Sequence, residues 1–238
     1  MPICQGYCKE GGFALKLFLT MDKKILAPSL LSADFGRLAE AVQKIETGGG
    51  EAVHIDVMDG TFVPEVSFGQ PIVRSLRPLS KLPFDVHLMV QNPERQIESF
   101  AAAGADWITF HYEAAEEEAK NGGLDSVQLL KKIRSLGKKA GISVKPATSV
   151  VLLKNLLEFA DIILIMSVEP GFGGQKLIPE CLDKIKELAA LRDQLGLNYK
   201  ISVDGGVNAQ TLDSVLQSGV DIVVSGSAFF NGSLAWRS

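Results

Sequence analysis

DIILIMSV, residues 161–168, decides the fold. Five apolar side chains in a row, Ile162 to Met166, stand between an acid and Ser167. A strand that faces water on one side alternates apolar and polar residues. An unbroken apolar run marks a strand covered on both faces, as in a parallel sheet. DIVVSG (221–226) repeats the pattern. Working outward, further strand-like runs are KILAP (24–28), EAVHIDVM (51–58), FDVHLMV (84–90), DWITFH (106–111), KAGISV (139–144) and KISVDG (200–205), which makes eight. Longer segments with helical spacing separate them. These are FGRLAEAVQKIET (35–47), PERQIESFAAAG (93–104), LDSVQLLKKIRSLG (124–137), TSVVLLKNLLEFA (148–160), PECLDKIKELAALRDQLG (179–196) and NAQTLDSVLQSG (208–219). Asp34 is an N-cap candidate for the first, and Pro93 and Gly104 bracket the second. A glycine closing a helix before the next apolar run is the βα unit repeating. Eight units over about 210 residues, roughly 26 each, suit an α/β fold of the (β/α)8 TIM-barrel class. A doubly wound open sheet competes, but no GxGxxG follows the first strand.

The chain has 238 residues, 46% of them hydrophobic, and a net charge of −4 with the signs interspersed. That permits a sizeable core and shows no basic patch for nucleic acid. No apolar run reaches the roughly 18 residues of a membrane span. Three cysteines, Cys4, Cys8 and Cys181, make no disulfide framework, so an intracellular, cytoplasmic setting is expected. Residues 1–20 lack the basic start of a signal peptide and read as a poorly ordered extension. Residues 21–238 read as a single barrel domain. EEEAKNGG (116–123) reads as a surface loop after strand four. After strand eight only SAFFNGSLAWRS (227–238) follows, so the eighth helix is expected to be shortened or missing. The apolar strip on strands eight and one then needs another cover.

In such a barrel, chemistry sits at the C-terminal ends of the strands. VHIDVMDG (53–60) places His54, Asp56 and Met58 on one face and Val53, Ile55 and Val57 on the other. His87 ends strand three, His111 strand four and Asp204 strand seven. His54, Asp56, His87 and Asp204 offer two imidazoles and two carboxylates, a ligand set for one divalent ion such as Zn²⁺, Mn²⁺, Fe²⁺ or Co²⁺. Strand seven is three neighbours from strand two around the ring, so Asp56 and Asp204 can face each other across the mouth. The alternative is four unrelated buried polar groups, each costing about 1–3 kcal/mol if unpaired. His111 reads as a hydrogen-bonded core residue, with a supporting role at the site as the other reading. Asp59, before Gly60, reads as a turn or cap residue. Met58, Met89 and Met166 fill the core or form an apolar floor for the site.

Glycines cluster after strands six, seven and eight, in EPGFGGQ (169–175), DGGV (204–207) and SGSAFF (225–230). Backbone N–H groups in such loops can cradle a phosphate, commonly near strands seven and eight. The longest of the three loops, with Phe172 at its tip, can also close as a lid.

These residues resemble the ribulose-phosphate 3-epimerase family. APSLLSADF (27–35), VHIDVMDGTFVP (53–64), DVHLMV (85–90), VEPGFGGQ (168–175), VDGGV (203–207) and SGSAFF (225–230) match its motifs in order, over residues 25–230. The resemblance implies an isomerase of the pentose phosphate pathway, a metal-dependent epimerase acting at C3 of D-ribulose 5-phosphate to give D-xylulose 5-phosphate. It implies His54, Asp56, His87 and Asp204 as metal ligands, Asp56 as proton acceptor and Asp204 as proton donor. Ser29 and His87 would contact substrate. Gly171, Phe172, Gly173, Gly174, Asp204, Gly205, Gly206, Gly226 and Ser227 would surround the phosphate end. Met58, Met89 and Met166 would line the site. A homo-oligomer is the expected assembly. The family pattern continues with a final helix after SGSAFF, whereas this sequence stops at Ser238. Three alternatives stay open: a ketohexose 6-phosphate (allulose 6-phosphate) 3-epimerase, a metal-dependent aldol-type lyase or decarboxylase using Lys145, and a phosphosugar-binding barrel without activity.

Overall fold

Eight parallel strands form one sheet in a computed structural model that describes residues 24–236. The extension expected over residues 1–20 lies outside the described residues. The strands are β1 (Ile25–Pro28), β2 (Val53–Met58), β3 (Phe84–Met89), β4 (Trp107–His111), β5 (Lys139–Val144), β6 (Ile162–Met166), β7 (Lys200–Asp204) and β8 (Ile222–Ser225). Each falls inside a run picked out from the sequence. Neighbours follow the order β1-β8-β7-β6-β5-β4-β3-β2. The two end strands meet where Ser29 bridges to His54 and the Glu51 N–H donates to the Leu26 carbonyl at 2.8 Å. The sheet therefore closes on itself, as the (β/α)8 reading requires.

Parity explains the two-sided burial. Every residue of β2, β3 and β6 is buried. Val53, Ile55 and Val57 join the layer between sheet and helices, whereas Met58 and Met89 pack together on the other face. Along the barrel axis Ala27, Ile162, Ile222 and Val224 form a plug beneath the mouth.

The helices are α1 (Leu38–Thr47), α2 (Gln70–Leu76), α3 (Pro93–Ala103), α4 (Tyr112–Lys120), α5 (Ser126–Ser135), α6 (Cys181–Leu195), α7 (Leu212–Gln217) and α8 (Ser227–Phe230). Gly104 takes φ 114° at the end of α3, where a side chain would be strained. Asp34 does act as a cap, accepting from the Gly36 N–H at 2.9 Å, but it caps a 3-10 turn, and α1 begins only at Leu38. Two readings are corrected. EEEAKNGG is not a loop: residues 116–120 complete α4, and only Asn121–Gly123 turn. Alanine and glutamate are strong helix formers, so that polarity marks a solvated helical face. TSVVLLKNLLEFA is not an α-helix. It forms a 3-10 helix (Val150–Leu153) followed by turns, with Leu156 N–H donating to Leu153 O and Phe159 N–H to Leu156 O. Its buried residues, Val150, Leu153, Leu156, Leu157 and Ala160, are spaced as either kind of helix allows, so the hydrogen bonds and not the burial distinguish the two.

After β8 comes one helical turn, α8. The strip expected to lack a cover is buried: Leu26 and Val223 are inaccessible and belong to one cluster with Phe229, against which Leu234 and Trp236 pack.

At the opposite end of the barrel one device recurs three times. The aspartate that opens DWITFH, DIILIMSV and DIVVSG accepts a backbone N–H from the preceding strand and pairs with an arginine. Asp106 holds Phe84 N at 2.9 Å and Arg77 at 2.7 Å. Asp161 holds Ala140 N at 2.9 Å and Arg134 at 3.1 Å. Asp221 holds Ile201 N at 2.8 Å and Arg192 at 2.5 Å. These clamps tie β3 to β4, β5 to β6 and β7 to β8, where a barrel invests in stability and not chemistry. Burial pushes the Asp161 carboxyl up, but the Ala140 N–H and Arg134 outweigh it and hold it below its ordinary value. A carboxylate depressed in the folded state stabilises above the unfolded pKa of about 3.9 and loses that contribution as pH falls toward the folded value. Asp161→Ala is expected to lower the unfolding free energy by about 1–3 kcal/mol at pH 7, because Ala140 N–H loses its acceptor. The gap from wild type should narrow below about pH 4 in urea denaturation series. No gap at pH 7, or one that persists unchanged in acid, contradicts the clamp.

Candidate active site

Four side chains converge at the C-terminal mouth. β2 and β3 run in register with Asp56 beside His87 and His54 beside Asp85. β7 brings Asp204 from across the barrel. His54, Asp56, His87 and Asp204 each offer a ligand atom, and those atoms lie within 4.8 Å of one another. His54 Nε2 and His87 Nδ1 are each 3.2 Å from Asp56 Oδ1 and 3.8 Å from Asp204 Oδ2. Both imidazoles are fully buried, and the two carboxylates stand above them in the wall of the cavity.

The electrostatics separate the two carboxylates. Burial raises Asp56, but His54 and His87 outweigh that and hold it far below the carboxylate range. Burial and the Asp56 charge push Asp204 up to about 6. His54 is raised well above 6.5: burial opposes its charge, but Asp56 and Asp85 win. Two adjacent buried carboxylates with no lysine or arginine among them suit a cation. Lys145, the one strand-end lysine considered for lyase chemistry, sets its ammonium 4.1 Å over the Phe62 ring, outside the cluster. The donor set therefore fits a divalent ion. Mixed nitrogen and oxygen donors suit several first-row metals and do not choose among them.

Two supporting groups, Asp85 and Glu113, escaped the sequence reading. Asp85 Oδ2 lies 2.7 Å from His54 Nδ1. Glu113 Oε2 lies 3.3 Å from His111 Nδ1, and His111 Nε2 lies 2.9 Å from His87 Nε2. Burial drives His111 down to about 4, so its ring is neutral at ordinary pH. Burial raises Glu113, yet its bond to His111 brings it to about 2. Strand parity flags Asp85, which shares the inner face with His87. Glu113 sits on a helix, and nothing in its spacing points inward.

The remaining candidates fall as parity and glycine spacing place them. Ser29 Oγ donates to Asp56 Oδ2 at 2.5 Å. Met58, Met89 and Met166 are buried in the cavity wall. Asp59 is a turn residue, accepting from Thr61 N, Phe62 N and Gln91 N at 2.8 Å each. The three glycine loops enclose a cavity of about 210 Å³, and Ser32, Lys176 and Asn208 line it unforeseen. Gly206 has φ 67°, and a Cβ there would lie 2.2 Å from Leu177 N. A Cβ on Gly226 would lie 2.3 Å from Ser32 Oγ. Backbone alone fits these two approaches. Gln175 Nε2 staples the loop after β6, donating to Glu169 O at 2.6 Å and Phe172 O at 3.0 Å, with the Phe172 ring about half exposed at the tip.

Comparison with known proteins gives the fold and the family. The fold is shared with the tryptophan synthase α-subunit of Pyrococcus furiosus, at a TM-score of 0.62 and 19% identity, covering 87% of this chain and 89% of that one. That likeness concerns the barrel alone. Curated relatives are far more similar in sequence. A protein named ribulose-phosphate 3-epimerase from Treponema pallidum is 49% identical over 209 residues, covering 88% of this chain and 92% of the relative. Its namesake from Bacillus subtilis is 43% identical, covering 87% and 93%. That from Escherichia coli is 42% identical, covering 89% and 91%. The model of the ribulose-phosphate 3 epimerase family matches residues 25–230. On that match, and on the length and identity of these alignments, the chain belongs to the ribulose-phosphate 3-epimerase family.

Proposed function

We propose that the protein interconverts D-ribulose 5-phosphate and D-xylulose 5-phosphate, a step of the pentose phosphate pathway, by metal-dependent epimerisation at C3. One observation carries this reading: two carboxylates of opposite proton demand, Asp56 and Asp204, arrive from far sides of the barrel at one buried cluster. Inverting C3 requires a proton to leave one face of the carbon and another to arrive on the opposite face. Asp56, held ionised, is the base. Asp204, which burial lets hold a proton near neutrality, is the acid, and the reverse reaction exchanges their roles.

His54, Asp56, His87 and Asp204 would hold one divalent ion, Zn²⁺, Fe²⁺, Mn²⁺ or Co²⁺. When bound, that ion supplies Lewis-acid stabilisation for the negative charge of the enediolate at C2 and C3. Ser29 orients Asp56 through its short hydrogen bond and lines the cavity beside it, whereas His87 lies buried beneath the two carboxylates. Met58, Met89 and Met166 keep water from the carbanion. Gly171 to Gly174, Gly205, Gly206, Gly226 and Ser227 surround the phosphate, whose binding energy is gained away from the reacting carbon. Phe172 closes the loop over it.

β2, β3 and β7 supply all four cluster residues. No observation favours a ketohexose phosphate over the pentulose phosphate. No helix among the described residues is long and apolar enough to cross a membrane. We place the enzyme in the cytoplasm as a homo-oligomer, for which exposed Val66, Val151 and Leu152 offer apolar surface.

Two outcomes are expected. Asp56→Asn and Asp204→Asn should each lower kcat by about 10²–10⁴-fold in a coupled assay of xylulose 5-phosphate formation. Near-native rates in both variants would sink the two-carboxylate reading. Dialysis against a chelator should abolish turnover, and about one equivalent of a first-row divalent ion per chain should restore it, as measured by elemental analysis beside the assay. Full activity in protein stripped of metal contradicts the assignment.

A further inference from the structure

A phosphate dianion needs donors, and the side chains of the cavity have few to give. Its ionisable lining is Asp56, Glu169 and Asp204 against a single cation, Lys176. Neutral donors must therefore do most of the holding, and most of those on side chains are already engaged. Ser29 Oγ donates to Asp56 Oδ2. Asn208 Nδ2 donates to Gly206 O at 3.2 Å, and Gln175 Nε2 donates to Glu169 O and Phe172 O. Two hydroxyls remain, those of Ser227 and Ser32. Ser227 already belongs to the phosphate end; Ser32 has no role yet. Its N–H donates to Ser29 O at 3.3 Å, but its hydroxyl has no hydrogen-bond partner among the described residues.

Two glycine loops converge on that hydroxyl. A Cβ on Gly226 would lie 2.3 Å from Ser32 Oγ, and one on Gly173 would lie 3.8 Å from it. The hydroxyl therefore stands where the loops after β6 and β8 meet. The turn that carries it is fixed. Leu30–Ser32 is one 3-10 turn, capped by Ser29, whose Oγ accepts from Leu31 N–H at 3.1 Å. Ser29 and Ser32 are three residues apart, which is one turn, or about 6 Å along the axis. One end of the turn holds Asp56 through Ser29, and the other presents a free hydroxyl among the glycines. C3 and the phosphorus of a pentulose 5-phosphate are four bonds apart, a similar reach. We propose that Ser32 is a substrate-binding residue whose hydroxyl donates to the phosphate of the sugar phosphate, between Gly173 and Gly226. The inference rests on the proposed function. A merely structural Ser32 would pack against Gly226 and shape the loop without touching the phosphate.

Ser32→Ala removes one oxygen and separates the two roles. Inorganic phosphate is the direct probe, titrated against the protein by ³¹P NMR. Its dissociation constant should rise about 10–100-fold in Ser32→Ala, the range for a hydrogen bond to a charged group. KM for D-ribulose 5-phosphate should rise by a similar factor with kcat nearly unchanged, because a phosphate contact is made equally in ground state and transition state. For unphosphorylated D-ribulose, kcat/KM should not change, since it has no phosphate to lose. A structural role would instead disturb the turn, and with it Ser29 and Asp56, and slow both sugars alike. Unaltered phosphate affinity in Ser32→Ala, equal losses with both sugars, or wild-type protein that binds no phosphate overturns the assignment. None of these by itself removes the epimerase reading if wild type still turns over D-ribulose 5-phosphate. Wild-type protein that binds phosphate through Ser32 yet does not epimerise D-ribulose 5-phosphate would contradict the proposed function and keep Ser32 as a phosphate ligand.

Discussion

Two carboxylates, Asp56 buried and Asp204 partly so, stand close together at one end of a closed barrel. Asp56 keeps its charge because two imidazoles face it, and Asp204 is pushed up to about 6 because Asp56 does. Such a pair is costly unless positive charge is shared between them. Much of the mouth follows from that constraint. Asp85 lies behind His54, and the His111–Glu113 pair lies behind His87. Asp56 needs a donor on its second oxygen, and Ser29 supplies one. The carboxylates need a dry surround, and three methionines supply it.

The barrel makes that arrangement rigid. Asp56 and His87 are adjacent in a parallel ladder, so their separation is set by backbone hydrogen bonds and not by loop conformation. Asp204 comes from β7, whose loop is tied to β6 where Ser167 Oγ donates to Asp204 O at 3.0 Å and Gly205 O at 2.7 Å. The seam between β1 and β2 falls at Ser29 and His54, so closure of the barrel and assembly of the site are one event. The three arginine–aspartate clamps work at the other end, distant from the chemistry, where they hold strand pairs together.

Much of this was legible in the sequence because strand periodicity is strict. With a period of two, His54, Asp56 and Met58 had to share a face, and Val53, Ile55 and Val57 had to oppose them. Unbroken apolar runs could only be two-sided strands. Glycine clusters marked the loops because close backbone approach leaves no alternative at Gly206 and Gly226. What escaped depended on partners remote in sequence. Glu113 follows His111 by two residues but belongs to a helix, and its role appears only once β5 delivers Lys145 and Thr148. The acids opening β4, β6 and β8 looked like strand boundaries, because the N–H groups they hold sit on other strands. Residues 148–160 looked helical because leucine spacing alone does not separate three residues per turn from 3.6. The chain's own polar bonds decide between them, beginning with Ser149 Oγ accepting from Val151 N–H at 3.3 Å.

The central claim is that two separate acid/base groups exchange protons with C3 on opposite faces. Conversion of D-ribulose 5-phosphate in D₂O, followed by ¹H NMR, tests this most directly. The account predicts D-xylulose 5-phosphate carrying solvent deuterium at C3 from the first turnovers, with no carbon–carbon cleavage. Product that keeps its original proton at C3, or fragments of the sugar chain, would contradict it.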